Sequence, residues 1–533
     1  MSGALYAVTD VAEARRRLHS GREIALLDVR EAGQFGEAHP LFATPCSYSK
    51  LEPLARRLVP RANAPLLLLD AGDGVAERAA GRLSRMGYRD ITVVQGGMPA
   101  WAEAGFPVYK GVNVPSKTLG EMAEQIWHPQ MITAQELAGW QREGRAFAFF
   151  DARPPEEYAK MRVPGAACLP NGELPHRLAA AGIGDAPVVI TCAGRTRGII
   201  GAIGARLAGH AGPIYALENG TQGWALAGHD LERGNTAERF PVLTDAQLAD
   251  TRRGAKTLMS RFGINQVCAQ DIRHFLSDPE TTTYLLDVRS AEEAAADPVP
   301  GAVHALSGQL VQATDQWVAV RHARMVLFDD SGMRAALAAF WLRQLGYEPH
   351  VALIDDDIRR MPDAEPAFRL PDAGPAPELI SAREAIAAAE GGRGTFIDMR
   401  SSPAFRKGHV AGAAWFIRPR AAAVVSLLRQ RDALIVADEP LLVALAAEDL
   451  REAGAGALRL VADGHAALVA AGAPVAVTPD DPPDTEAIDH LFFVHDRHDG
   501  NLEASRRYIE WETGLVAQLD EAERMEFRLE QPS

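Results

Sequence analysis

Cysteine is scarce. The chain has four in 533 residues, Cys46, Cys168, Cys192 and Cys268, and none forms a CxxC pair. This excludes a dense disulfide framework and argues against structural zinc. Positive charge is also short. Fifty-five Lys and Arg stand against 70 Asp and Glu, a formal net charge of −15, so general affinity for nucleic acid or anionic membranes is not expected. Any anion site must be built locally, from a few placed cations and backbone amides. No uncharged apolar run reaches the ~18 residues of a membrane span. The most apolar windows, such as APLLLLDAG at 64–72, have strand length. The first residues lack the basic, apolar and small-residue order of a secretion signal. A cytoplasmic protein with reduced thiols is the expectation.

Hydrophobic residues make up 47% of the chain and charged residues 23%, enough to bury several cores. The length suits roughly three to five domains. Short apolar strands alternate with helical patterns, which reads as α/β with mostly parallel sheets. One pattern returns four times, as ALLDVREAGQF, AFFDARPPEEY, YLLDVRSAEEA and TFIDMRSSPAF. Each is an apolar strand ending in Asp-x-Arg, at Asp28, Asp151, Asp287 and Asp398, followed by a polar helix start. A second strand follows and ends at Asp70, Cys192, Asp329 or Asp438, which lie 42, 41, 42 and 40 residues beyond the first Asp. That regularity predicts four tandem copies of one α/β unit.

Other features share the register. VPGAACLP, VPGAVHA and VAGAAWF mark a further common strand, and QGGMPAW and ENGTQGW a turn before Trp101 and Trp224. Connecting helices are expected at 116–130 and 243–263. A Pro-rich linker is expected at 361–378, and a charged tail after about 477 with an amphipathic helical segment at 502–528. The boundaries expected are 1–112, 113–240, 241–370 and 371–478 for the four copies, and 479–533 for the tail.

Taken together, the Asp-x-Arg strand end, the PGA strand about a dozen residues on, the C-x-G-x-x-R loop and the Gly-x-x-x-Trp close resemble the rhodanese (sulfurtransferase) family. The resemblance covers four repeats and is complete only in the second. It implies tandem rhodanese-like domains, each a mostly parallel sheet flanked by helices. It also implies a thiosulfate-type sulfurtransferase that passes sulfane sulfur through a Cys192 persulfide, with no cofactor and no metal. The donor implied is a small anion. The acceptor is cyanide or a thiol, including a protein thiol. Copies one, three and four carry Asp at the cysteine position and are expected to be silent. Met161 and Arg162 stand where many relatives have a His before the Val-Pro-Gly-Ala stretch, and Asn219-Gly220 replaces the commoner Gly-Gly pair.

The residues VVITCAGRTRG carry the chemistry. A loop wrapped round Cys192 turns successive N–H groups inward as an anion nest, and the helix expected from about Gly198 adds the positive end of its dipole. Ala193, Gly194 and Thr196 form the loop, with Gly194 allowing its turn. Arg195 and Arg197 supply cationic forks for a donor's sulfonate. These features together are expected to favour thiolate over thiol. Asp151 and Arg153 are expected to brace the loop as a buried ion pair, with Gly198 opening the helix. Cys168 and Trp224 are read as packing, and Cys46 and Cys268 as incidental. The loops DAGDGV, DDSGMR and DEPLLV lack the paired arginines. In the tail stretch HLFFVHDRHDG, with His490, His495 and His498, the last two are three apart and could share a helix face as metal ligands, but no cysteine or third convergent ligand is evident, so no metal site is expected.

Two other readings stay open. A Cys-dependent phosphatase or arsenate reductase puts five residues between Cys and Arg; here four separate Cys192 from Arg197. A non-enzymatic persulfide carrier or scaffold would use the silent copies to dock partners.

Overall fold

Apolar runs that precede Asp-x-Arg or the loop position form central strands, and the computed structural model describes them within residues 5–184, 186–362, 374–428, 430–492 and 501–532. Leu66–Leu69 and Val188–Thr191 are buried along their whole length. Continuous burial is what parallel strands covered on both faces require. The first sheet comprises β1 (Ala7–Thr9), β2 (Ala25–Asp28), β3 (Ala43–Pro45), β4 (Leu66–Leu69) and β5 (Ile91–Val94) in the order β1-β5-β4-β2-β3. The second repeats that order as β6-β10-β9-β7-β8. Its strands are β6 (Met131–Ile132), β7 (Ala148–Asp151), β8 (Ala167–Cys168), β9 (Val188–Thr191) and β10 (Ile214–Leu217).

The third sheet has four strands, β11 (Thr283–Asp287), β12 (Val303–His304), β13 (Arg324–Asp329) and β14 (Glu348–Leu353), ordered β12-β11-β13-β14. A single bridge from Gln266 to Val351 stands where the other sheets have their first edge strand. In the fourth region lie β15 (Glu378–Ile380), β16 (Gly394–Asp398), β17 (His409–Val410), β18 (Ala414–Trp415), β19 (Asp432–Val436), β20 (Leu458–Val461) and β21 (Val475–Ala476). The order β15-β20-β19-β16-β18 restores the full pattern, while β17 and β21 pair separately. All pairings within the four large sheets are parallel.

Asp-x-Arg does the same job in every copy. Arg30, Arg153, Arg289 and Arg400 each fork onto the Asp two residues earlier, with Nε–Oδ1 distances of 2.9, 2.9, 3.0 and 3.0 Å. Each also donates to a carbonyl eight residues on, at Ala38, Met161, Asp297 or Gly408. The fork therefore ties the strand end to the far end of the following helix.

Connecting helices occupy Val114–Trp127 and Asp245–Phe262. The chain closes with helices Leu502–Thr513, Leu515–Gln518 and Glu521–Met525. The largest apolar core joins repeats one and three. It also takes in the 114–127 linker helix, Ile199, Ile200 and Ile203 of repeat two, and Leu515, Leu519 and Phe527 of the tail. Buried charge clusters seal other contacts. Arg418 reaches Glu52 and Asp449 across repeats one and four, and Arg334 reaches Glu173 of repeat two. Of the expected Pro-rich linker, residues 363–373 lie outside the described residues, as do His495 and His498. Among the described residues no helix is long and apolar enough to cross a membrane, and no group of His, Cys, Asp and Glu could hold a metal.

Candidate active site

Cys192 follows β9, the middle strand of the second sheet, at its carboxyl end. The helix after it spans Thr196–Leu207, starting two residues earlier than the sequence suggested. The intervening loop is fixed from behind. Thr221 N–H donates to the Cys192 carbonyl at 2.8 Å, and the Gln222 N–H and Nε2 donate to the Ala193 carbonyl at 3.2 and 3.1 Å. This contact explains the Asn219-Gly220 turn. Both residues have positive φ, and a Cβ on Gly220 would lie 2.2 Å from the Cys192 carbonyl oxygen. The corresponding Gly97 in repeat one would meet the Asp70 carbonyl oxygen at 2.4 Å.

The loop forms the floor of a cavity of about 250 Å³ that no single repeat encloses. Besides that loop, Cys192 to Arg197, it is lined by Glu157 of repeat two, Lys117 of the linker helix, and Gln309 and Gln312 of repeat three. The tail contributes Tyr508 and Glu512. Arg153 also lines it, while its ion pair with Asp151 is buried beneath.

The two arginines are not free. Arg197 is gripped by both oxygens of Glu157 at 2.7 Å and donates to Gln309 Oε1 at 3.2 Å. Arg195 donates to Glu121 Oε1 at 2.8 Å, and also to Glu124 and to Asn219. Burial pushes the Glu121 carboxyl up to about 7 against the pull of Arg195. Thr196 Oγ1 donates to Glu512 Oε1 at 2.8 Å.

Burial first, with Glu512 and Asp151 adding to it, corrects the expectation of a ready thiolate. Burial pushes the Cys192 thiol above its ordinary value. Arg197 and the Gly198 N–H draw it down, while Glu512 and Asp151 push it further up. The cations of the loop are contiguous in the sequence, whereas Glu512 and Asp151 come to it from other segments. Cys168 is separate from this chemistry: it is buried in β8, its thiol directed at the Arg153 carbonyl and pushed up to about 12.

The sister loops show what Asp does at the cysteine position. Asp70 accepts from the N–H groups of Gly72 and Ala76 at 2.8 and 3.0 Å. Asp329 accepts from Asp330, Arg334 and Ala335 N–H and from Arg334 Nε. In repeats one and three a carboxylate on the chain thus fills the nest that the second repeat leaves to a sulfur, whereas Asp438 of the fourth is exposed. Arg334 stands five residues after Asp329, as Arg197 does after Cys192. The third loop thus lacks the arginine pair, as expected, but keeps a single arginine at the position of Arg197.

A rhodanese-like domain model matches residues 10–104, 133–227 and 269–360. The crystal structure of a thiosulfate sulfurtransferase from Pseudomonas aeruginosa is 33% identical, covering 99% of this chain and 100% of that one, with a TM-score of 0.88. The Alr3790 protein of Anabaena sp. is 24% identical over 18% of this chain and 82% of its own, with a TM-score of 0.17. The BH2092 protein of Bacillus halodurans is 15% identical over 22% and 88%, with a TM-score of 0.18. Among curated proteins no match is found. The fourth sheet lies beyond the residues the family model matches, and shares the strand order of the first two.

Proposed function

The chain belongs to the rhodanese-like family, and from that membership we propose that it is a sulfurtransferase carrying sulfane sulfur on Cys192. Cys192, once deprotonated, attacks the outer sulfur of a small anionic donor such as thiosulfate. The donor's S–S bond breaks, its electron pair leaves with sulfite, and a Cys192 persulfide remains. A nucleophile, either cyanide or a thiol, then bonds to the outer sulfur, and the electron pair of the breaking bond returns to Cys192. This is covalent catalysis in two half-reactions.

The observation that carries this reading is positional. Of four equivalent strand ends, one bears a sulfur nucleophile, and it forms part of the floor of the composite cavity. Arg197 and the Gly198 N–H both act on Cys192 to favour its anion. The similarity to a thiosulfate sulfurtransferase supports thiosulfate as a donor. Arg197 is the cation placed to receive the sulfonate, on exchange of part of its pairing with Glu157. Ala193, Gly194, Arg195 and Thr196 complete the donor's surroundings.

Thiocyanate formation from thiosulfate and cyanide tests the proposal. Wild type is expected to turn over and Cys192→Ser to be inert. Arg197→Ala is expected to lose about tenfold or more in kcat/KM, the worth of one charge-assisted hydrogen bond. Turnover by Cys192→Ser equal to wild type contradicts it.

A further inference from the structure

The tail does more than cover the site. Glu512 sits on the Leu502–Thr513 helix, is 2% exposed, and meets the cysteine loop from a position 320 residues further along the chain than Cys192. Its two oxygens differ. Oε1 is held by Thr196 Oγ1, the first residue of the helix that follows Cys192. Oε2 is buried and has no hydrogen-bond partner. It also lies against the loop itself: a Cβ on Gly194 would be 2.8 Å from Oε2. Gly194 is thus the residue that admits this carboxylate.

The other acid lining the cavity, Glu157, is bound through both oxygens to Arg197. A buried carboxylate oxygen without a donor carries an unmet desolvation cost. A ligand carrying a transferable proton would meet it.

Resting on the sulfurtransferase reading, we propose that Glu512 is the proton acceptor for the thiol that takes sulfur from Cys192, which makes thiols the preferred acceptors of this site. The acceptor R–SH gives its proton to the Glu512 carboxylate. The electron pair left on sulfur bonds to the outer atom of Cys192–S–SH. The inner S–S bond breaks and its pair stays on Cys192 Sγ. Glu512 returns the proton to that sulfur, leaving Cys192 as thiol and the acceptor as R–S–SH. The sulfane sulfur changes carrier and no outside oxidant or reductant takes part. The raised Cys192 thiol suits this sequence, because the departing sulfur needs a proton.

The charged and titratable groups facing Glu512 come from three elements. Lys117, Glu121 and Glu124 lie on the linker helix, Cys192, Arg195 and Arg197 in and beside the cysteine loop, and Tyr508 on its own helix. The third neighbour, the helix Gly220–Leu226, offers the uncharged Gln222.

Glu512→Gln keeps the shape and can still accept from Thr196. The test loads the full-length protein with sulfur from thiosulfate, checks the load by intact mass, and follows its removal in single turnover. Two acceptors are compared: 2-mercaptoethanol, which must lose a proton, and sulfite in alkaline buffer, which is already a dianion. In E512Q, removal by the thiol is expected to slow on the order of 100-fold, the scale of general base catalysis. Removal by sulfite is not expected to fall, since a like charge has been taken away. Equal rates for wild type and E512Q with the thiol overturn the proposal. Equal loss with both acceptors also overturns it, since that marks a structural role. If E512Q does not fold, Thr196→Val, which releases Oε1, is read by the same ratio of thiol to sulfite rates. A wild type that never takes up sulfur overturns the sulfurtransferase reading and this proposal with it, whereas normal loading with an unchanged ratio overturns this proposal alone.

Discussion

At the scale of single residues the site is a balance of charges supplied from afar. Arg197 and the helix start favour an anion at Cys192, while burial, Glu512 and Asp151 oppose it. The balance falls on the side of the thiol. A raised thiol is mostly protonated at neutral pH and ionises only as pH rises beyond the ordinary cysteine range, near 8.5. Iodoacetamide labelling of Cys192 is therefore expected to keep accelerating with pH through that range, with no plateau near neutrality. A rate already level at about pH 7 contradicts the balance described. The loop was legible in the sequence because Cys, Gly and Arg are contiguous there. Glu121, Glu124, Gln309 and Glu512 were not, because each comes from another segment and carries no local motif. Arg334 was a missed signal: its offset from Asp329 equals that of Arg197 from Cys192.

At the scale of elements, the repeated fork and the repeated turn explain why the register could be read. Asp-x-Arg is a short-range device, closed within ten residues by bonds to Asp28, Asp151, Asp287 or Asp398 and to a carbonyl eight residues on. Such devices leave a fixed spacing in the sequence. The first edge strands do not: β6 is two residues long, and the third sheet has one bridge in place of its first strand. Their pairing is decided by neighbours rather than by their own pattern. The glycine of the turn is needed for two reasons, its positive φ of 54° and its contact with the Cys192 carbonyl. Gly220→Ala is expected to lower stability by about 1–3 kcal/mol and to depress sulfur transfer, because the loop must shift to admit the Cβ. Thermal unfolding and turnover measured on the same sample check this. An unchanged Tm with unchanged activity contradicts the contact.

At the scale of the whole molecule, the copies with Asp at the loop position are parts of one structure rather than spares. Repeat three supplies Gln309 and Gln312 to the cavity, and the tail supplies Tyr508 and Glu512. The four sheets were legible because each repeat is written in its own stretch of sequence. Their association was not, because it rests on buried ion clusters between distant positions. Arg334 is fully buried among Glu173, Glu293, Asp329 and Asp330. Removing one partner from such a cluster leaves uncompensated charge, at a cost of about 3–5 kcal/mol. Arg334→Met is thus expected to lower the denaturant midpoint by a matching amount, and an unchanged midpoint contradicts a structural role for the cluster. Sulfur transfer by the proposed route requires sulfur to reside on one residue, Cys192. Intact mass after incubation with thiosulfate tests that most directly. The prediction is a gain of one sulfur atom on wild type, removed by cyanide and absent in Cys192→Ser. A wild type left unmodified by thiosulfate and by other sulfane donors, or a gain that persists in Cys192→Ser, contradicts it.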